Sequence, residues 1–502
     1  MKSLRRSVPL VLLLLTFFAD SLSAQLAARQ SWVNRYNVDA AKINQTLGIV
    51  PAADGGVIVG GSSASTNGDL DYVLVKYTPS GTQAWLTRYD SPTHGHDQMR
   101  SLVLGSNGCL VVTGTSKTAK FDNGGNLLWA APYEGRAVAV NASNVYVTGF
   151  SDVNFATAKL DGASGSNQWT RTHDLIGQPD LSQVMAVDEA GNVYVAGDEI
   201  WYYDPRWSIY HNLTTIKYDP NGTTLWTVRN DGSPYGGGND NAEAKAILVD
   251  KLGGFCVMGN CLDRSIYLTR RFNAGLELVW DYHIAAAGGE GRCMLVDENG
   301  RTYLAGSRPT GAALYDYKCD TVKLNTNGAM LWLSTYHGPV NGSNQGTALA
   351  LDAPGSVYVC GYSLGSGTGH DIFTLKYDKN GTQLWVQRYN GPANGDDIAT
   401  GLVVDASGSV YVTGYSATTN GGTEFVTLKY TQPGLDIQRR SDGAMRLQTL
   451  TTPGTPYAFE SSSNLQSWLP LATNTADTNG IVVFDDTNAP AVPRRFYRGS
   501  RP

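Results

Sequence analysis

Charge is scarce in this chain. Only 16% of its 502 residues are Asp, Glu, Lys or Arg, and none of them cluster into a basic run. The net charge is −6, and it falls to −8 once the leader carrying Lys2, Arg5, Arg6 and Asp20 is set aside. A mildly acidic surface without basic patches excludes nucleic acid and anionic membrane as partners. Cysteine is sparse and irregularly placed: Cys109, Cys256, Cys261, Cys293, Cys319 and Cys360 form no CxxC and no Cys/His zinc spacing. Cys109, Cys256 and Cys360 replace Val or Thr within strand phrases, where Cys acts as a small buried hydrophobe, so buried thiols are expected rather than a disulfide framework. The seven histidines do not recur in register. His94 and His96 flank Gly95 as a metal-like pair, but no third ligand can be placed and a solvated loop is expected. No GxSxG, HExxH, Walker loop or helix-opening GxGxxG occurs, so no catalytic residues are assigned. Beyond the leader, no apolar run is long enough to cross a bilayer.

Residues 1–24 read as a secretion signal. Lys2, Arg5 and Arg6 form its basic end, an apolar core runs from Val8 to Phe18, and Ser21, Ser23 and Ala24 offer a cleavage site. No Cys follows for lipid attachment. The mature protein is expected to be soluble and monomeric, secreted to the extracellular space or cell surface, with the periplasm as the other destination.

What the chain has is repetition. A glycine-ended strand phrase appears eight times, typified by GSVYVCGYS (355–363) and GSVYVTGYS (408–416). A strand–turn–strand phrase, TLKYDKNGTQLWVQRYN (374–390), recurs with tryptophan at 85, 129, 169, 226, 280, 332 and 385. Self-similarity at this period marks a radial or stacked repeat. The eighth copy stops at TLKYTQPG (427–434) without its last strand, whereas SWVNRYN (31–37) stands alone before the first full unit and matches LWVQRYN (384–390). This predicts an all-β fold: a β-propeller over 31–431, closed by the N-terminal strand. The non-repeating 435–502 is expected to form a small C-terminal β-domain of sandwich type.

Within each unit the tryptophan is expected to wedge between neighbouring sheets, docked by its N–H. A basic residue recurs at one position of strand three: Lys76, Lys120, Lys159, Lys217, Arg271, Lys323, Lys376 and Lys429. Its stem is expected to pack while its head meets a local carboxylate. Asn44, Asp97, Asp180, Asn344 and Asp397 recur where strand one is entered. They form either a ring at the channel mouth, able to hold a sugar hydroxyl or calcium, or a set of loop staples to backbone. No other cofactor is expected. The fourth unit carries an insertion crowded with Trp201, Tyr202, Tyr203, Trp207 and Tyr210. These residues form either a ligand platform or a hairpin packed on the sheet edge.

The phrases GSVYVTGYS and TLKYDKNGTQLWVQRYN resemble the secreted bacterial propeller repeat called SBBP, over about residues 32–430. That family is described as seven-bladed, whereas eight units are counted here; either the blades number eight, or the 40-residue third unit forms none of its own. The tail phrases YAFESSSNLQSW, VVFDD and RRFYR resemble the C-terminal β-module of exported proteins from Verrucomicrobia-type bacteria. These resemblances imply an exported, non-enzymatic binding or adhesion scaffold whose partner is a glycan or a cell-surface protein. An enzyme acting on polysaccharide is the alternative. DPNGTTLW (219–226) also resembles the tryptophan-docking phrase of quinoprotein oxidoreductases, but the adjacent cysteines of that family are missing.

Overall fold

A computed structural model describes residues 28–39, 41–65, 68–92, 94–141, 143–149, 154–173, 180–202, 209–230, 242–251, 253–261, 266–284, 289–311, 316–432, 436–440, 442–450, 454–464, 466–477, 481–489 and 495–500. The leader, Tyr203 and Trp207 lie outside them. Every element is a β-strand, and no α-helix occurs among the described residues.

Seven four-stranded antiparallel sheets follow one another in sequence order, over 44–89, 99–131, 137–173, 180–230, 242–284, 290–336 and 344–389. An eighth combines the strands of 397–431 with Arg29–Tyr36, which pairs antiparallel to Thr423–Thr431. The architecture is propeller-like. The short third unit forms a complete sheet even though its first two strands, Ala137–Asn141 and Asn144–Thr148, have only five residues each. The tail forms two three-stranded sheets that share a core of Leu447, Tyr457, Phe459 and Val482.

The turn chemistry follows directly from the sequence. In the turn after Asp378, the carboxylate accepts the N–H groups of Asn380 and Thr382, each at 2.8 Å. Gly381 then takes a left-handed φ of 85°, a conformation that costs glycine little. Asp297 and Asp405 close their turns the same way. The first strand of most sheets is bulged at one recurring place, as between Gly346 and Ala348 or Ala399 and Gly401; such bulges bend and twist the strand.

The middle strands are apolar on both faces because both faces are covered. Val57, Val59, Val73 and Val75 of the first sheet pack with Tyr411 and Phe425 of the last. Tyr358 and Trp385 pack with Val410, Val412 and Leu428. Each consecutive pair of sheets has its own apolar core of this kind.

Tryptophan and lysine join one sheet to the next. The indole N–H groups of Trp32, Trp85, Trp129, Trp169, Trp280 and Trp332 donate to backbone carbonyls of the following sheet at 3.0–3.2 Å. In four units the cross-strand lysine donates to the same oxygen. Lys120 and Trp129 share Gly162, Lys159 and Trp169 share Pro220, Lys323 and Trp332 share Lys379, and Lys429 and Trp32 share Pro79. Several of these lysines also lie over the tyrosine of their own sheet, as Lys217 does over Tyr194 at 4.6 Å. Lys76 and Arg271 instead reach Asp54 and Asp250. The recurring cations therefore belong to the packing between sheets.

Among the described residues Cys109, Cys256, Cys293, Cys319 and Cys360 are free thiols. Burial pushes the Cys256, Cys293 and Cys319 thiols up, and that of Cys360 up to about 12. They are unreactive at neutral pH.

Candidate functional site

The entries to the first strand of five of the eight sheets carry the recurring Asn and Asp residues, and the units based on Glu134, Ala242 and Gly289 lack them. Asn44, Asp97, Asn344 and Asp397 are all buried, at 0–1% exposure. Three of them hold the backbone N–H of the residue six positions earlier: Ser91 to Asp97 at 2.6 Å, Gly338 to Asn344 at 2.7 Å, and Gly391 to Asp397 at 2.6 Å. Asn44 donates to the carbonyl of Thr423 at 2.6 Å. Asp97, Asn344 and Asp397 thus fasten the segments entering their own strands, as short polar side chains commonly do at loops, whereas Asn44 ties its strand to the last sheet. Asp180 opens the strand Asp180–Val187. Burial pushes the Asp397 carboxyl up to about 6.

Around two of these residues a larger arrangement repeats. Arg88 holds Asp71 in an ion pair and donates to Ser63 Oγ at 2.9 Å. Three hundred residues later Arg388 holds Asp371 at 2.7 Å and donates to Ser363 Oγ. Ser91 and Asp97 correspond to Gly391 and Asp397, and His94 corresponds to Asn394. The backbone matches too, since His94 and Asn394 both have left-handed φ, 48° and 52°. Two differences have chemical weight: Asp90 stands where the later copy has Asn390, and His96 stands where it has Asp396, a carboxylate that pairs with His370 instead.

In the earlier copy three carboxylates therefore converge. One oxygen each from Asp71, Asp90 and Asp97 lies within 4.8 Å of the others. Asp71 and Asp97 are buried and Asp90 is exposed. Burial raises the Asp71 carboxyl above its ordinary range against the pull of Arg88, and the charges of Asp90 and Asp97 add to the rise. His94 Nδ1 lies 2.6 Å from Asp90, which raises the imidazole. His96 Nε2 lies 3.8 Å from Asp69. The His-Gly-His pair thus lines an acidic loop.

The cluster lay hidden in the sequence because its members come from two separate segments, the strand holding Asp71 and the loop holding Asp90 and Asp97. The available signal was positional. Asp71 and Asp371 fall five residues before a recurring lysine, and Arg88 and Arg388 fall three residues after a recurring tryptophan.

The aromatic insertion of the fourth unit lengthens its two middle strands, Val193–Tyr202 and Ile209–Tyr218. Among the described residues the first strand of that sheet pairs as far as Glu199, and the fourth as far as Leu213. Ile200, Trp201 and Tyr202 pair with His211, Tyr210 and Ile209, and Trp201 stands opposite Tyr210. Among the described residues this two-stranded ribbon runs three residue pairs past the four-stranded part. In the sheet of 344–389 only the pair Leu364 and His370 does so. At its base Asp198 accepts the Ala244 N–H at 2.9 Å, and burial pushes its carboxyl up to about 7. Glu199 is fully buried against Arg229 at 2.8 Å.

Two open cavities, of about 640 and 540 Å³, lie between consecutive sheets. The first is lined by Ile58, Lys76, Leu104 and Asn123, and the second by Asp250, Arg271, Asp297 and Thr326. The first adjoins the far end of the strand that Asp97 enters, so it is separate from the acidic loop.

No family model matches the chain, and no curated protein does. Solved structures similar to it include the extracellular domain of a one-component system from B. thetaiotaomicron, at 12% identity and a TM-score of 0.37. That match covers 88% of this chain and 64% of the other. Hsv2p of Kluyveromyces lactis matches at 11% identity and a TM-score of 0.39, covering 68% of this chain and 97% of that one. Hsv2 of Kluyveromyces marxianus matches at 8% identity and a TM-score of 0.40, covering 69% and 97%. Among the described residues no helix is long and apolar enough to cross a membrane.

Proposed function

We propose that this chain is an exported, non-enzymatic binding scaffold of the SBBP type, acting in the extracellular space or at the cell surface, and that its partner is a glycan or a cell-surface protein. Its eight four-stranded sheets close into an eight-bladed ring, with Arg29–Tyr36 completing the last blade. The C-terminal module attaches or sorts it at a surface. The contacts of Trp32 with the first sheet support closure, because this strand belongs to the last sheet yet its indole donates to Pro79.

The observation that carries the binding role is the ribbon of the fourth unit. Its paired strands carry Trp201, Tyr202 and Tyr210, residue types that dominate recognition surfaces. Meanwhile the recurring tryptophans, lysines and entry-loop residues are engaged in holding sheets and loops together.

A screen of the purified chain on a glycan array and against surface-protein extracts tests the reading. Trp201→Ala and Tyr210→Ala should abolish the captured interaction while the melting temperature changes little. A collapse of stability in both variants would show that the ribbon is part of the packing, and the proposal would fail.

A further inference from the structure

We propose that the acidic loop of the first sheet binds a divalent cation, calcium by preference, between the carboxylates of Asp71, Asp90 and Asp97. This site differs from a ring with one ligand per unit, since all three ligands come from one sheet and the loop leaving it. It is independent of the aromatic ribbon.

Geometry is the first argument. Calcium takes oxygen ligands at about 2.4 Å, so two oxygens on the same ion can be at most about 4.8 Å apart. One oxygen from each of the three carboxylates satisfies that limit against the other two. The second argument is the state of Asp97. Its side chain is fully buried, and Oδ2 accepts the Ser91 N–H. Its other oxygen, Oδ1, is buried and has no hydrogen-bond partner among the described residues. A carboxylate oxygen withdrawn from water with nothing to balance it is costly, and a cation would supply the balance. The third argument is charge. Among the described residues three carboxylates face two basic side chains, Arg88 held by Asp71 and, on the exposed side, His94 at Asp90.

The repeat provides an internal control. The later copy keeps Arg388, Asp371 and Asp397, but the third carboxylate is replaced by Asn390, whose amide donates to Asn394 at 2.7 Å. Two acids with one arginine suit a structural staple, and a third acid is what a staple does not need. The set of ligands also argues for a hard ion, since carboxylates with water on the Asp90 side suit calcium, whose shell of six to eight oxygens tolerates irregular geometry.

Calorimetric titration of the chelator-treated full chain with calcium chloride tests the site. Binding of one ion per chain is expected, with a rise in melting temperature. Asp90→Asn, which reproduces the later copy at an exposed position, should weaken binding about tenfold or more. Terbium luminescence competed away by calcium reads the same site in the unaltered chain, without a variant. Absence of binding at about 1 mM calcium, the weak end of extracellular sites, would overturn the proposal. So would an Asp90→Asn chain that binds as tightly as the unaltered one. Zinc binding that is lost on His94→Ala, without any calcium binding, would also overturn it.

Discussion

Gly381 lies so close to the indole of Trp332 that a Cβ on it would stand 2.7 Å from Cδ2 of that ring. The same contact recurs between Gly81 and Trp32, Gly165 and Trp129, Gly222 and Trp169, and Gly328 and Trp280. Each of these glycines has a left-handed φ. One residue type thus meets two demands, that of the turn it closes and that of the tryptophan from the sheet before.

Gly381→Ala should therefore destabilise the chain by about 2–5 kcal/mol, combining a left-handed penalty of about 1–2 kcal/mol with overpacking of about 1–3 kcal/mol. Urea unfolding would measure it. Trp332→Leu in the same chain should make the loss less than additive. Strict additivity would mean that the two residues do not interact.

The fifth unit departs from this scheme. Leu276 occupies the glycine's place in the turn with a φ of 67°, and it packs against the cluster of Trp226 and Phe255. Strain of about 1–2 kcal/mol opposes apolar burial of similar size. Leu276→Gly should thus change stability by less than about 1 kcal/mol in either direction. A loss above about 2 kcal/mol would show that the leucine's packing dominates.

The propeller-like architecture was legible because its determinants recur. Eight glycine-ended phrases became strands, the tryptophan phrases became inter-sheet joints, and SWVNRYN paired with Thr423–Thr431 as its likeness to LWVQRYN implied. The acidic cluster was not legible, since recurrence conceals it. Asp71 and Asp97 look like ordinary repeat positions, and the third carboxylate of the cluster comes from Asp90, where the later copy has Asn390. The entry-loop Asn and Asp residues were visible as a set, but pattern alone could not distinguish a ring of ligands from side chains that each bind their own loop. Of the aromatic insertion, the register of Trp201 with Tyr210 is now fixed.

Removal of residues 28–37 would expose the edge of Thr423–Thr431 and undo the joint of Trp32 and Asn34 with the turn at Pro79 and Gly81. An unpaired edge of this kind invites association. The truncated chain should oligomerise on size exclusion, and a synthetic peptide of those residues should restore the monomer by strand addition. A truncated chain that stays monomeric and equally stable would show that the strand closes nothing.

Asp198 gives the fold a pH dependence of defined sign. Its carboxyl is pushed up to about 7 in the folded chain, against about 3.9 when unfolded. Between those values the folded chain binds more protons, so stability falls as pH rises from about 4 to 7, by on the order of 2 kcal/mol. Asp198→Asn mimics the neutral acid and should flatten that slope in urea titrations at pH 5 and 8. An unchanged slope would assign the dependence elsewhere, with Asp397 next in line.

The two copies of the acidic loop also allow a gain of function. Asn390→Asp restores a third carboxylate beside Asp371 and Asp397, on a loop whose backbone already matches that of its counterpart at 94 and 394. If the third acid is what turns a staple into a cation site, the variant should bind two calcium ions per chain where the unaltered chain binds one. Its affinity at the new site should be within about tenfold of the first, since the remaining ligands are the same. Without calcium the variant should lose stability, by roughly 1 kcal/mol or more, because a third acid is added beside Asp371 and Asp397. With calcium the loss should disappear. Calorimetry gives the stoichiometry, and melting with and without a chelator gives the linkage. An Asn390→Asp chain that still binds one ion, and melts alike in both conditions, would show that Asp90 alone does not set the two loops apart.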